Sequence, residues 1–269
     1  MSDDLVPDDL WERIAPLLPP QPARRHRYPG RLRVPDRIAL AGIVYVLRKG
    51  VAWRDVPASV VGCSGVTAWR RLRDWTEAGV WPRLHTELLA ELRKTGLLEM
   101  DDCAIDGSHV RALKRGDHVG PSPVDRARPG SKHHLIVDRR GTPLAVSVTG
   151  GNRHDVTQLI PLLDAIPRIR GLRGRPRSKP KRLFADRGYD YDKYRRLLRQ
   201  RGIKPLIARR GVAHGSGLGK TRWVVERTFA WLHQFKRLRI RYERRADLHQ
   251  GLLELACSII CLRRLRTSS

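Results

Sequence analysis

The chain has 269 residues, enough for one large domain or two of ordinary size with a real core. Lys and Arg number 54 against 27 Asp and Glu, a formal charge of +27 that favours a polyanionic partner and says little about fold. No apolar run approaches the roughly 18 residues of a membrane helix, the Met-Ser-Asp-Asp start lacks the order of a signal peptide, and four scattered Cys are no disulfide framework. The expectation is a soluble cytoplasmic protein that meets nucleic acid and no membrane.

The first hundred residues read as helices. Pro7 can open a helix carrying Trp11, Ile14, Leu17 and Leu18, stopped by Pro19 and Pro20. A basic link follows from Ala23 to Arg33, with Arg24, Arg25 and Arg27; it is either a solvated linker or an arm against phosphates. Asp36 can cap a helix lined by Leu40, Ala41, Val44 and Leu47 and ended by Gly50. Ser64 can cap another, whose Trp69, Leu72 and Trp75 face inward while Arg70, Arg71 and Arg73 point elsewhere. A short turn before an Arg-bearing helix fits a helix-turn-helix reader of DNA, and equally a small bundle with a solvated face. A last helix spans Pro82 to Lys94.

From residue 101 the composition changes, which divides the chain into an all-α region, 1–100, and a second domain, 101–269. Cys103 to Asp106 reads as a buried strand with a carboxylate at its end. Residues 111–131 read as loop, His134–Asp138 and Pro143–Thr149 as a hairpin, and 155–166 as a helix capped by Asp155. A basic loop, 168–182, precedes a second short strand ending on Asp, Lys181 to Asp186. Helix 191–200, strand 204–208 and helices from Thr221 to about Lys236 and 248–265 complete the order. Cys257 and Cys261, one turn apart in an apolar run, read as core because no second pair is at hand for zinc. Three strands followed by helix–strand alternation predict an α/β domain with a mixed sheet covered by helices, the first strand central and the fourth beside it.

That order brings Asp106 and Asp186 to one edge of the sheet. Two hard oxygen ligands suit Mg²⁺, and bound metal relieves the repulsion between them. Glu226 supplies a third carboxylate on its helix, with Arg222 one turn before and His233 two turns after, Trp223, Phe229 and Ala230 packing alongside. By spacing alone, an ordinary Arg222–Glu226 surface pair is the commoner reading. Gly215 to Thr221 approaches a P-loop but fails on spacing, since the required first Gly falls on His214.

The set Ala-Ile-Asp-Gly-Ser (104–108), Phe-Ala-Asp-Arg-Gly-Tyr-Asp (184–190) and Arg-Trp-Val-Val-Glu-Arg-Thr-Phe-Ala-Trp-Leu (222–232) resembles the DDE transposases of bacterial insertion sequences, more narrowly the insertion sequence five family within the insertion sequence four superfamily. Gly-Asn-Arg-His-Asp (151–155), Arg-Tyr-Glu-Arg-Arg (241–245) and the N-terminal Tyr-Val-Leu-Arg-Lys-Gly-Val-Ala-Trp-Arg (45–54) match too, so the resemblance covers nearly the whole chain. It implies an RNase H-like catalytic fold with Asp106, Asp186 and Glu226 as the triad. It implies two Mg²⁺ ions, with Mn²⁺ substituting, and double-stranded DNA as partner, both the element ends and the target. It also implies a homodimer or larger synaptic complex in a bacterial, nucleoid-associated setting. The insertion sequence four group has Tyr three residues before the Arg and Lys seven after the Glu; here those positions are Gly219 and His233. His233, Lys236 or Arg237 is expected to face phosphate instead, and Lys132 and His133 to touch DNA. The rival functions are a catalytically inactive DNA-binding regulator and a nuclease without strand transfer.

Overall fold

The computed structural model describes residues 5–21, 23, 26–27, 31–211 and 219–267, with side chains of the last segment from Arg222 onward. Arg24, Arg25 and most of the Gly-rich stretch 215–221 lie outside the described residues.

The N-terminal region is all helical: α1 (Asp8–Ile14), α2 (Asp36–Lys49), α3 (Ala58–Val61), α4 (Gly65–Glu77) and α5 (Val80–Lys94). Pro7 stands at the N-cap of α1, where its missing N–H costs nothing. Gly50 ends α2 in the left-handed region, φ 73°. Ser64 Oγ accepts from Thr67 N at 3.2 Å and caps α4. Leu40, Val44 and Leu47 of α2 and Leu72 and Trp75 of α4 are fully buried, as their helical spacing predicts.

The second region holds β1 (Asp102–Ala112), β2 (Gly120–Pro121), β3 (Pro129–Asp138), β4 (Pro143–Gly150), α6 (Leu159–Asp164), β5 (Arg182–Ala185), α7 (Asp192–Gln200), β6 (Lys204–Ile207), α8 (Gly219–Gln234), β7 (Ile240–Arg241) and α9 (Ala246–Arg266). β1 is central. It pairs antiparallel with β3 on one side, and parallel with β5 and then β7 on the other. β3 carries β4 and β2 antiparallel on its outer edge, and β6 lies parallel to β5. The resulting sheet, β4-β3-β1-β5-β6 with helices against it, is the mixed, RNase H-like arrangement expected. α9 packs on α5, α4 and β4, so helices from both ends of the chain share one hydrophobic cluster. Cys257 and Cys261 sit inside that cluster as free thiols. No helix among the described residues is long and apolar enough to cross a membrane.

Two strands run further than the sequence indicates. β1 continues six residues past Asp106, which therefore lies in mid-strand and not at its end. Its residues 106–109 are half-buried, so the apolar pattern breaks exactly where the strand opens to solvent on both faces. β3 begins at Pro129, inside the expected loop, because Ser131, Lys132, His133 and His134 are buried polar residues that disguise an interior strand. β7 is too short to read from sequence and exists by pairing Arg111↔Ile240.

Candidate active site

The register brings the first two carboxylates level. Ala104 of β1 pairs with Phe184 of β5, and each Asp lies two residues further along its own strand. Asp186 leaves β5 at a turn, where its Oδ1 accepts from Gly188 N at 2.8 Å. Asp106 accepts from its neighbouring Gly107 N at 2.8 Å. α8 presents the third group. Its buried face, Val225, Thr228 and Leu232, holds it to the sheet, and Thr228 Oγ1 donates to Gly141 O at 2.7 Å in the β3–β4 turn. Gly141 has φ 81°, and a Cβ there would lie 2.9 Å from Thr228 Oγ1, so only Gly permits this close approach.

One guanidinium joins strand and helix. Arg222 Nη1 donates to Asp106 Oδ2 at 3.0 Å, and its Nη2 forms an ion pair with Glu226 Oε1 at 2.9 Å. Arg222 and Glu226 thus form an i,i+4 pair, and the same guanidinium reaches Asp106 on β1. Burial pushes Asp106 up to about 6; the charges of Asp186 and Glu226 add to this, against the pull of Gly107 N–H and Arg222. Three carboxylates against one guanidinium leave a surplus of negative charge, which a divalent cation would relieve. The donors are hard oxygens, the chemistry that Mg²⁺ and Mn²⁺ take. As placed, with Arg222 between Asp106 and Glu226, no group of three His, Cys, Asp or Glu among the described residues is set around one ion. The donor set fits the metal, and Asp106, Asp186 and Glu226 are the residues that would hold it.

A second layer lies behind Asp106. Asp155 Oδ1 accepts from Lys132 Nζ at 3.0 Å and lies 3.7 Å from His134 Nδ1. It also approaches Gly107, where an added Cβ would come within 2.7 Å of it. His134 Nε2 is 2.7 Å from Thr149 Oγ1, and burial holds its imidazole down to about 4, hence neutral at pH 7. Tyr189 is buried, with no hydrogen-bond partner for its hydroxyl among the described residues; burial first and then the Asp106 charge push its phenol well up. Sequence reasoning missed both as site residues. Asp155 reads there as a helix cap and Tyr189 as one letter of a motif. The only available signal is that each sits in a stretch carrying the family resemblance.

Several expected DNA contacts are corrected. His133 is completely buried, its Nε2 2.8 Å from His249 Nε2, and cannot meet DNA. Lys132 is 6% exposed and committed to Asp155 and to Arg153 O at 2.8 Å. Arg237 is likewise buried, against Glu243. His233 turns into a contact with Phe229 and His133, with its Nε2 buried. Lys236 is exposed but packs beside Gly50 at the end of α2. Trp223 does not pack inward; it is 47% exposed. In the N-terminal region Arg71 is tied to Asp36 at 3.1 Å and Arg73 to Asp74 at 2.8 Å, while Arg70 and Arg27 are exposed.

Comparison with known proteins agrees with this architecture. The transposase DDE domain model matches residues 98–261, more than half of the chain, and an IS4/5 transposase family model matches residues 6–85. A Burkholderia cepacia protein assigned as the transposase for insertion sequence element IS402 is 65% identical over 55% of this chain and 70% of its own length. An uncharacterized 16.2 kDa protein of the same element is 51% identical over 46% of this chain and 84% of its own length. Among solved structures, a pre-cleavage Mos1 transpososome is matched at 12% identity over 95% of this chain and 85% of that one, with a TM-score of 0.27, a likeness too distant to bear on function. With matches spanning both regions and the expected strand order around the carboxylates, this chain belongs to the DDE transposases of the IS4/5 insertion sequence family.

Proposed function

We propose that this protein cuts the ends of its insertion element by metal-dependent hydrolysis and joins the freed 3′-hydroxyls to target DNA. The observation that carries the reading is Arg222 joining Asp106 of β1 to Glu226 of α8, with Asp186, just past the end of the adjacent strand, near enough for its charge to act on the Asp106 carboxyl. Two Mg²⁺ ions, or Mn²⁺, bound there would supply Lewis-acid activation of the phosphate and of the attacking oxygen. The chain's own part is electrostatic and positional. Asp106 is held rigid in mid-strand, Asp186 by its turn, and Glu226 by the packed face of α8. Arg222, bonded to two of the three carboxylates, is placed to exchange one of them for a phosphate oxygen. The reaction needs no covalent protein intermediate, so no Ser, Cys or Tyr is given a nucleophile's role.

Residues 1–100 are taken as the DNA-binding helical domain and 101–269 as the catalytic domain. Exposed Arg70 and Arg27 are the phosphate contacts on the first. Two element ends cut together require a homodimer or larger assembly on DNA. The test is purified protein with Mg²⁺ and a labelled duplex bearing the sequences that flank its gene, beside Asp106→Ala, Asp186→Ala and Glu226→Ala. Nicking at the 3′ ends and joining to a second duplex, absent from all three variants that still bind, supports the reading. Binding without cutting in Mg²⁺ or Mn²⁺ replaces it with the regulator, and cutting without joining with the nuclease.

A further inference from the structure

A groove of about 790 Å³ lies beside the candidate active site, between α8, the β3–β4 turn and the last turns of α9. Five guanidinium groups line it, Arg139 and Arg140 from the turn, Arg227 from α8 and Arg263 and Arg264 from α9, and no Asp or Glu among the described residues does. Arg139 and Arg140 are paired from behind by Asp102 and Glu99. Among the described residues neither Arg227 nor Arg263 has an ion-pair partner. Burial lowers Arg264, and the neighbouring cations Arg140 and Arg227 lower it further against the opposing pull of Asp138. Such an accumulation of like charge is unfavourable by itself and is relieved by a polyanion.

The groove is also preorganised. Arg227 is sandwiched between the rings of Trp223 and Trp231, 4.4 and 4.7 Å from their centroids, and its Nη2 donates to Arg140 O at 2.6 Å. Arg264 Nη1 donates to the same carbonyl at 3.0 Å. Little of the side-chain entropy that normally opposes a phosphate contact remains to be lost. The neutral polar lining is sparse, Thr142, Gln234 and Thr267, so the groove offers charge without a set of groups for reading base edges. Its position gives continuity: residues 223, 227 and 231 lie about 100° around α8 from 222 and 226, one helix width from the carboxylates.

We infer that this groove grips the sugar–phosphate backbone of duplex DNA without regard to sequence, the kind of contact a target duplex needs, on DNA that continues from the carboxylates across α8. The inference rests on the transposase reading for the choice of DNA, but its test does not use catalysis. Binding of a labelled random-sequence duplex and of an element-end duplex is measured by fluorescence anisotropy across a salt series without divalent metal. For Arg227→Gln with Arg263→Gln, both duplexes are expected to bind about tenfold more weakly near 0.1 M salt, with a salt slope shallower by about 1.8, at about 0.9 per phosphate contact. Arg263→Gln alone, an exposed change that leaves the Trp sandwich intact, should lower the slope by about half as much. Arg227→Lys with Arg263→Lys should keep most of the slope. The pair Arg170→Gln and Arg173→Gln, on the exposed basic loop, removes the same charge elsewhere and should have a smaller effect.

Unchanged affinity and slope in a folded groove variant overturn the inference, as does an equal loss in the loop pair. So does a loss confined to the element-end duplex, which would mean base reading. A change of oligomeric state without loss of DNA binding overturns it in favour of an acidic protein partner. If the wild type never cuts DNA but the groove variants lose binding as expected, the transposase reading falls and the groove stands.

Discussion

Two ionic clusters meet the same helix, α8, and their energetics are opposite. At the candidate active site two carboxylates, half-buried Asp106 and exposed Glu226, share one guanidinium, Asp186 adds a third negative charge nearby, and Asp106 is pushed up to about 6. Just past the C-terminal end of α8 lies a cluster with its charges matched. Arg237 Nε and Nη2 donate to Glu243 Oε1 at 2.9 and 2.6 Å, His249 Nδ1 lies 3.5 Å from Glu243 Oε2, and His249 meets His133. There burial pushes Glu243 up, but the neighbouring His249 and the charge of Arg237 outweigh it and bring the carboxyl down to about 2. Arg237 also donates to Val51 O at 2.8 Å, so this cluster fastens the N-terminal helices to the second region. The same residue types act as fastener where charges balance and as reactive surface where they do not.

The largest expected effect separates the two. Asp106→Asn keeps shape and removes charge from the surplus cluster. Strand cleavage should fall by about 10³-fold or more, since metal-held charge stabilisation is worth several kcal/mol. Denaturant unfolding without divalent metal should find the variant at least as stable as the wild type. A destabilised Asp106→Asn would break the comparison, because it would mean that the site also holds the fold together.

Glu243→Gln is the counterpart. It leaves Arg237 buried opposite a neutral amide and should cost about 3 kcal/mol of unfolding free energy at pH 7. The native carboxyl is depressed from 4.5 to about 2, so its stabilisation is full above pH 4.5 and is lost as pH falls toward 2. The gap between wild type and Glu243→Gln in urea titrations should therefore narrow from pH 6 to pH 3. A constant gap would assign the loss to packing. Any DNA cleavage that remains should scale with the folded fraction.

Gly107→Ala tests the layer that joins the two behaviours. The new Cβ would lie 2.7 Å from Asp155 Oδ1 and 3.3 Å from His134 Nδ1. Asp155 must move or β1 must shift, at about 1–2 kcal/mol of stability. Because Asp155 packs against Gly107, the residue next to Asp106, cleavage should fall beyond what lost stability explains. Unchanged cleavage per folded molecule would remove Asp155 from the site.

Most of the frame was legible in the sequence, and the reasons are physical. Short apolar runs ending on Asp revealed β1 and β5, and their order placed the two carboxylates together, because a central first strand with the fourth beside it leaves few other arrangements. The length of β1 was hidden where its polar residues open to the site, and that of β3 where Ser131, Lys132 and His133, polar yet buried, imitate a loop. The pairing of His133 with His249 spans 116 positions and leaves no periodic trace. Lys132 and His133 were misjudged for one reason: positive or titratable side chains read as surface, and burial with a partner is a property of the fold. Trp223 was expected to pack alongside Phe229, but it is exposed, and with Arg227 and Trp231 it forms one helix face that only the turn and α9 make a groove.

The smallest effect lies on α4 and asks whether the fastener-versus-surface distinction extends to the N-terminal region. Arg71 is 11% exposed at its side chain and bonded to Asp36, itself 10% exposed, so it resembles Arg237. Arg70, next in sequence, is exposed and resembles the groove arginines. Arg71→Gln should lose about 1 kcal/mol by removing one of the two guanidinium groups on Asp36, which keeps Arg33, read by thermal or urea unfolding. Arg70→Gln should stay within about 0.5 kcal/mol of wild type, as substitutions at open surface do. Its effect should appear instead in DNA binding, as a salt slope shallower by about 0.9 on the element-end duplex. If Arg70→Gln leaves that slope unchanged, α4 is a structural helix with a solvated face, and the recognition of element ends has to be sought elsewhere on the N-terminal helices.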